Sequence, residues 1–150
     1  MQASPSDNRP VEKKSSSGSV SSASHAHGPF VPGVLVVVTL GNPREKFWGM
    51  ILALAPEGLS LSGADLASFE DIAAMVKEGE PFTPAVVFFP MHRIERVDLD
   101  VSDGTLSSLS QRFHAKTGLD PSAALAPSRK DQAARDALDD LRSHASKEPA

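Results

Sequence analysis

His92 is the residue of this sequence best placed to do chemistry, because it stands at a bend and precedes two arginines, Arg93 and Arg96. An imidazole works as a general base only when a nucleophile and an orienting acid lie within hydrogen-bond reach. The residues around His92 supply no such constellation, and no protease, glycosidase or kinase motif occurs in the chain. We therefore predict a protein that is not an enzyme, and keep an enzyme with His92 in a pocket as the weakest alternative.

Basic and aromatic side chains could instead form a binding rim. Arginine presents a planar fork of donors that suits phosphate or carboxylate groups. The nearby acids, beginning with Glu95, dilute this positive field, so a solvated face with ion pairs is favoured over a ligand site. For Trp48, packing in the core or at the rim is favoured over stacking on a ligand. The candidate ligand-binding residues are Arg44, Lys46, Trp48, His92, Arg93 and Arg96.

The charge balance argues against nucleic acid as the main partner. The chain carries a net charge of −4, and residues 30–125 hold seven basic side chains against twelve acidic ones, a balance of −5. A protein that binds phosphate backbones without sequence preference is expected to be basic. A protein partner or self-association is therefore favoured, while RNA stays possible through a local basic patch.

Nothing in the sequence predicts a metal or a cofactor. The chain has no cysteine, which excludes disulfides and thiolate metal sites. The acids that follow Asp98 resemble a calcium loop, but Gly104 and Leu109 stand at positions seven and twelve. An EF-hand needs glycine at position six and glutamate at position twelve. We expect no metal, no cofactor and no small-molecule substrate.

Five apolar runs are predicted to be the strands that position these residues. Residues 86–89 form a continuous apolar run, which is typical of a strand buried on both faces. Pro90 cannot donate to a ladder and belongs at a strand end. Gly49 predicts a sharp bend inside the second strand. The alternation slips by one residue between Ile94 and Val97, which predicts a bulge. The predicted strands cover residues 34–40, 46–54, 59–63, 85–89 and 93–99.

The remaining segments are predicted to be helices and tails. Apolar residues at three and four spacing predict a helix over residues 65–78, and a short helix is expected over residues 108–116. Residues 1–29 are Ser-rich and are predicted to be disordered, whereas residues 126–150 form an Ala-rich, charged tail that can become helical. No signal peptide or membrane span is found, so a cytoplasmic protein is expected. The folded domain is assigned to residues 30–125.

The order of these elements resembles the Sm-like small β-barrels, the LSm and Hfq-type proteins. Their first motif is an apolar strand, a turn, an internal glycine and a third apolar strand, which residues 38–40, Gly49 and residues 59–61 match within about one residue. Their second motif has an isoleucine two residues after a histidine, as His92 and Ile94 do here. The resemblance covers residues 34–99, with the helix over residues 65–78 as an insertion. It implies ring assembly and RNA binding.

This chain departs from the family at the base-contacting positions. Pro90 and Met91 replace the tyrosine and lysine before the histidine, and no Arg-Gly pair precedes the last strand. An SH3-like barrel would give a similar pattern. The run over residues 88–96 also resembles a segment of uncharacterised bacterial proteins, from which no function follows.

The predicted fold is α+β and mostly β, a five-stranded small barrel of Sm-like or SH3-like type with one inserted helix and a short C-terminal helix. The predicted function is a non-catalytic interaction or scaffold module that self-associates. The alternative is an Sm-like, RNA-binding post-transcriptional regulator. Basic residues clustered on one face would favour RNA, whereas a dry apolar edge with dispersed charge would favour protein partners.

Overall fold

A five-stranded antiparallel sheet is the centre of the structure. The computed structural model describes residues 28–145, and it shows an α+β fold in which this sheet carries several helices. The strand order is β4-β3-β2-β1-β5, so β4 and β5 are the two edges. No ladder joins these edges within the described part of the chain, and the sheet is therefore not closed. The strands are β1 Leu35–Leu40, β2 Glu45–Ala55, β3 Gly58–Asp65, β4 Ala85–Pro90 and β5 Ile94–Leu99.

The inner face of the sheet holds the main apolar core. Alternation along the strands, interrupted by irregularities in β2 and β5, sends about every second residue to this face. Both edge strands contribute to it: Val87 and Phe89 of β4 and Val97 of β5 pack against the same buried cluster. Burial of each large side chain contributes about 1.5–3 kcal/mol. The buried members of the cluster are Val36, Val38, Leu40, Phe47, Ile51, Leu59 and Leu61.

Two glycines, Gly49 and Gly63, form a cross-strand pair in the antiparallel ladder of β2 and β3. A Cβ atom on Gly63 would lie 2.1 Å from the carbonyl oxygen of Trp48, and one on Gly49 would lie 2.9 Å from the carbonyl oxygen of Ser62. Side chains at this pair would force the two backbones apart. The close approach is therefore the structural role of Gly49, and Gly63 has the tighter position of the two.

Three helices cover the outer face of the sheet around Trp48. They are α1 Phe69–Lys77, α2 Leu109–Thr117 and α3 Pro121–Leu125, and a 3₁₀ turn at Leu66–Ser68 leads into α1. The Trp48 ring packs edge-on against Phe69, with ring centres 5.2 Å apart, and tilted against Phe113 at 5.6 Å. This aromatic group is a second, smaller core.

An ion-pair group joins α1 to α2 at the surface. Glu70 of α1 is contacted by the ammonium of Lys116 and, at 2.6 Å, by the guanidinium of Arg112. The hydrogen bond from Lys116, helped by the charges of both cations, lowers the pKa of the Glu70 carboxyl from its usual 4.5. The two helices are thus linked by charge above their shared aromatic contacts.

Most element predictions are confirmed, and one needs correction. The bulge is present: Thr39 pairs with Arg96 and Leu40 pairs with Ile94, so Glu95 has no partner residue on β1. The prediction that β4 is buried on both faces is wrong: β4 is an edge strand whose outer face is open to solvent. A strand of continuous apolar residues fits a buried centre or an uncovered edge equally well, and periodicity does not separate the two.

The two predicted tails differ in what the structure describes. Within the predicted Ala-rich tail, residues 126–150, the structure has a helix, α4 Arg129–Ala145. The predicted disordered tail, residues 1–29, lies outside the described residues except for its last two.

Candidate interaction surface

The free edge of β4 exposes an unusual amount of apolar surface. Phe88 is 54 % exposed and Val86 is 36 % exposed, and Met91 follows them in a 3₁₀ turn with 41 % exposure. The six residues of β4 include no charged side chain. Natural edge strands usually carry lysine, an inward charge or a bulge, because an unpaired edge readily accepts a strand from another chain. β4 has none of these three protections, and its one proline, Pro90, stands at its last position.

The register of β4 on β3 decides which side chains reach the outer face. Phe88 lies opposite Ser60, and Val86 lies opposite Ser62. Val87 and Phe89, which alternate with them, point into the inner core. The exposed pair therefore lies on the same face as the helices and continues the outer surface of β3.

The other edge, β5, has the opposite character. Its solvent-facing residues include Glu95 and Arg96, and Arg96 pairs with Asp98 at 2.7 Å. The bulge at Glu95 also interrupts the regular edge. These features discourage pairing with another chain at β5.

A groove lies between α4 and the outer face of β2 and β3. Its volume is about 620 Å³. Leu138 and Leu141 line one wall, yet they are 62 % and 68 % exposed, so α4 faces the sheet without closing on it. The other wall includes Ser60, the residue directly opposite Phe88. The groove therefore opens beside the exposed part of β4. Its lining residues are Leu52, Ala53, Ser60, Leu138, Asp139, Leu141 and Arg142.

Arg93 is occupied inside the molecule. Its guanidinium donates to the carbonyl of Gly41 at 2.5 Å and to the carbonyl of Asn42, and it lies 3.6 Å from the Glu45 carboxylate. In return, the Gly41 amide donates to the Arg93 carbonyl at 2.9 Å. Arg93 therefore fastens the β1–β2 turn to the start of β5, and its donors point at the protein's own backbone.

The other predicted rim residues are only partly brought together. Lys46 and Arg96 flank Thr39 in one row across β2, β1 and β5. Arg44 and Lys46 line a depression of about 390 Å³, which they share with the acids Glu45 and Asp65. The positive charge of this area is thus interleaved with carboxylates.

Trp48 and His92 lie apart from that row. Trp48 is 2 % exposed, and its indole Nε1–H donates to the Asp100 carboxylate at 2.9 Å, so its ring faces no open surface. His92 is exposed in the turn at Met91–Arg93, and within residues 28–145 its imidazole makes no hydrogen bond or ion pair. No nucleophile or orienting acid contacts its imidazole there.

Pro90 ends β4, where the sequence placed it. It pairs with Gly58 of β3, and the next amide, that of Met91, donates to the Glu57 carbonyl at 2.9 Å. A Cβ atom on Gly58 would lie 2.2 Å from the carbonyl oxygen of Phe89. The backbones are therefore in close contact where the chain leaves β4.

Comparisons with protein-family models, curated proteins and solved structures find no match to this chain. Within residues 28–145 no three histidine, aspartate or glutamate side chains group as metal ligands would. In the same range, no helix has the length and apolar character needed to cross a bilayer.

Sequence reasoning missed two features of this surface. The exposure of Phe88 was missed because its strand was assigned to the interior. The groove was missed because a sequence shows only one of its walls. The apolar stripe of α4 is visible at Leu138 and Leu141, but it does not indicate which part of the sheet lies opposite. The small outward residues Ala53 and Ser60, which leave room on the sheet, were the available signal.

Proposed function

We propose that this chain is a non-catalytic interaction module of small β-barrel type, which self-associates by strand pairing at β4. The strand order, the 3₁₀ turn between β4 and β5 and the core shared by both edge strands support the likeness to Sm-like or SH3-like barrels. The one observation that carries the proposal is the uncharged, apolar and uncovered edge of β4.

Strand addition suits this edge for two physical reasons. An edge strand presents a row of unpaired backbone donors and acceptors, which supply affinity to an incoming strand. Side chains at alternate positions supply the specificity, and here those side chains are Val86 and Phe88. A hydrophobic core with aromatic anchors is what protein interfaces use most.

The contrast between the two edges favours β4 pairing with β4. A second copy offers the same two edges, and its β5 is charged and bulged. Pairing β4 with β5 would bury Glu95 and Arg96 against apolar neighbours, and burying charges without full compensation is costly. Two β4 strands carry no charge to bury. The resulting contact is isologous, the arrangement of twofold dimers.

RNA binding has weaker support than protein binding. Of the basic residues, Arg93 is held by backbone carbonyls of the β1–β2 turn, and Arg96 pairs with Asp98. Carboxylates also stand beside Arg44 and Lys46. Binding to a phosphate backbone needs basic side chains that are free to neutralise phosphates and displace the counterions condensed on them. Catalysis by His92 has less support still, because no partner group contacts its ring within residues 28–145.

A charge placed on the edge tests the proposal. Phe88→Lys introduces a cation at the centre of β4, and we expect sedimentation velocity to show self-association at least about tenfold weaker. Met75→Lys is the matched control, because Met75 is an exposed apolar residue on α1, 39 % accessible. Self-association that survives Phe88→Lys unchanged, with the fold intact by circular dichroism, would contradict the proposal.

A further inference from the structure

We infer that Pro84 and Pro90 fix the register in which two β4 strands pair, with Val87 of both copies at the twofold axis. The inference rests on the proposed self-association and specifies which residues of the two copies face each other. Three observations carry it: the hydrogen-bonding phase of β4, the positions of the two prolines, and the symmetry of the segment around Val87.

The phase of the β3–β4 ladder decides which backbone groups of β4 are free. Glu57 and Met91 continue the register of this ladder, and the Met91 amide donates to the Glu57 carbonyl at 2.9 Å. In an antiparallel ladder, pairs that exchange hydrogen bonds alternate with pairs that do not. The odd-numbered residues of β4 therefore direct their backbone groups at β3. The even-numbered residues Val86 and Phe88 direct their N–H and C=O groups at the free edge.

Prolines bound this free edge at both ends. Pro90, the last residue of β4, has an even number and so shares the free-edge phase. Pro84 holds the position that continues this phase just before the strand. A proline has no N–H, and its ring occupies the place of the missing donor. The edge therefore offers a donor together with an acceptor only at Val86 and Phe88.

The segment is symmetric about Val87, which makes a second copy the natural partner. The residue on each side of Val87 offers a donor and an acceptor to the free edge, and the third residue on each side is proline. Antiparallel pairing with Val87 opposite Val87 places Val86 of each copy opposite Phe88 of the other. Every free donor and acceptor of these two residues then meets its counterpart.

The neighbouring registers are incomplete. A shift of two residues in one direction places Pro90 opposite Val86, and a shift in the other direction places Pro84 opposite Phe88. In either case the carbonyl that faces the proline has no donor. A shift of one residue sets free-edge groups of one copy against groups that are already bonded to β3 in the other.

The exposed side chains of the outer face suit the same register. Because the twofold axis is perpendicular to the sheet, the outer faces of both copies lie on one side. Phe88 of each copy then stands directly opposite Val86 of the other, and pairs of an aromatic with a β-branched residue stabilise a ladder. The Phe88 ring leans over its own β3, since a Cβ atom on Gly58 would lie 2.6 Å from the ring Cζ. The free edge beside the ring is therefore left for the second strand.

Disulfide trapping tests the register, since the chain has no cysteine of its own. Val87→Cys places two Cα atoms about 4.5 Å apart across the axis, a distance that a disulfide spans. Val86→Cys and Phe88→Cys each stand about 7–8 Å from their own counterparts, which is too far. Under a mild oxidant we expect Val87→Cys to form the covalent dimer at least about tenfold faster than either neighbour. Equal rates, or a faster reaction at either neighbour, would overturn the inference.

A mixture of two variants gives a second readout of the register. Val87 packs against the inner core, so a thermal melt checks that Val87→Cys is folded. If it is not, an equimolar mixture of Val86→Cys and Phe88→Cys replaces it, because these residues stand opposite each other in the inferred pair. The mixed disulfide should exceed its statistical share. A statistical mixture of the three disulfides would overturn the inference.

Replacing one proline tests its role in setting the register. Pro90→Ala restores an N–H at the free edge and completes the register that has Phe88 at the axis. We expect Phe88→Cys to form its disulfide about tenfold faster in a Pro90→Ala chain than in a chain with Pro90. Pro81→Ala is the matched control, because Pro81 is exposed in the loop before β4. An unchanged rate in Pro90→Ala would contradict the role of the prolines.

The outcomes separate this inference from the proposed function. If Phe88→Lys yields monomers while the cysteine variants show no preferred position, edge pairing stands and the inferred register falls. If the wild-type chain is monomeric at all concentrations, both self-association and the register fall. A ring-sized assembly would point to pairing of β4 with β5 and would also overturn the twofold register.

Discussion

The Asp100 carboxylate accepts the indole proton of Trp48 at 2.9 Å, which ties the chain just after β5 to the middle of β2. The same carboxylate accepts the backbone amides of Leu109 and Ser110 at 2.8 and 2.9 Å, and the Ser110 hydroxyl. These amides are the first of α2, where a negative charge is favoured by the helix dipole. One side chain therefore fixes the sheet, the aromatic group and the start of α2 relative to each other.

Replacing Asp100 by alanine should be strongly destabilising. The change leaves the buried indole N–H of Trp48 and two helix amides without their acceptor, which costs about 2–3 kcal/mol in free energy of unfolding. Asp98→Ala is the control, because Asp98 pairs with the exposed Arg96 at the surface and should cost less than about 1 kcal/mol. Chemical denaturation measures both. Equal losses would mean that Asp100 is no more than a surface acid.

Replacing Gly63 by alanine should disturb the pairing of β2 with β3. The new Cβ atom would lie 2.1 Å from a backbone carbonyl, so the strands must separate, at a cost of about 3 kcal/mol. Gly41→Ala makes the matched comparison, because its Cβ atom would meet only the end of the Glu95 side chain, which can move away. Thermal unfolding compares the two variants. Similar melting temperatures would refute the close-approach role.

Replacing Gly49 should also destabilise the protein, because a Cβ atom there would lie 2.9 Å from the Ser62 carbonyl oxygen. We expect Gly49→Ala to cost less than Gly63→Ala, since its contact is less close. Gly49→Val should be worse than Gly49→Ala because of its branched side chain. A melting temperature unchanged by Gly49→Val would contradict this ranking.

Replacing Arg93 should loosen the β1–β2 turn. Arg93→Ala removes the donors to the Gly41 and Asn42 carbonyls, and a loss of about 1–2 kcal/mol is expected. Arg96→Ala changes a residue of the same charge three positions further on, in β5, but its partner is one exposed carboxylate, so a loss below about 0.5 kcal/mol is expected. Urea denaturation of both variants is the measurement. A larger loss of unfolding free energy in Arg96→Ala than in Arg93→Ala would contradict the role of Arg93 in holding the β1–β2 turn.

The ion pairs of Glu70 should appear in the acid range of the stability profile. Folding lowers the pKa of this carboxyl, so the ion pairs stabilise the protein above the usual pKa of 4.5 and are lost as the pH falls through the lower, folded-state value. Glu70→Gln should therefore reduce the melting temperature slightly at neutral pH and have no effect in strong acid. Asp71→Asn, on the same helix, is the control. A larger effect of Glu70→Gln on the melting temperature in acid than at neutral pH would contradict the predicted direction of the pH dependence.

The secondary structure was predictable where the local pattern of apolar and polar residues is enough to indicate it. The apolar runs located all five strands, and the slip between Ile94 and Val97 located the bulge. The spacing of Phe69 and its apolar neighbours located α1. Burial on β4 was not predictable, because it depends on whether another strand or a helix lies beside it. Similarly, the sequence shows Asp100 only as one acid in an acidic run, since its four donors come from distant residues.

The candidate site was predictable only in outline. The hypothesis of self-association through an exposed edge came from the small-barrel pattern, and the structure locates the apolar edge at β4. The six predicted rim residues do not form one cluster, because Trp48 is buried and Arg93 bonds to backbone carbonyls. Binding at Arg44, Lys46, His92 and Arg96 stays a prediction.

The most direct test of edge pairing is the mass of the purified chain in solution. Light scattering across a range of concentrations, before and after nuclease treatment, separates a protein assembly from one held by RNA. We expect a nuclease-resistant dimer without nucleic acid, which dissociates on dilution and is lost in Phe88→Lys. A monomer at every concentration, or an assembly that breaks down with nuclease, would contradict the account.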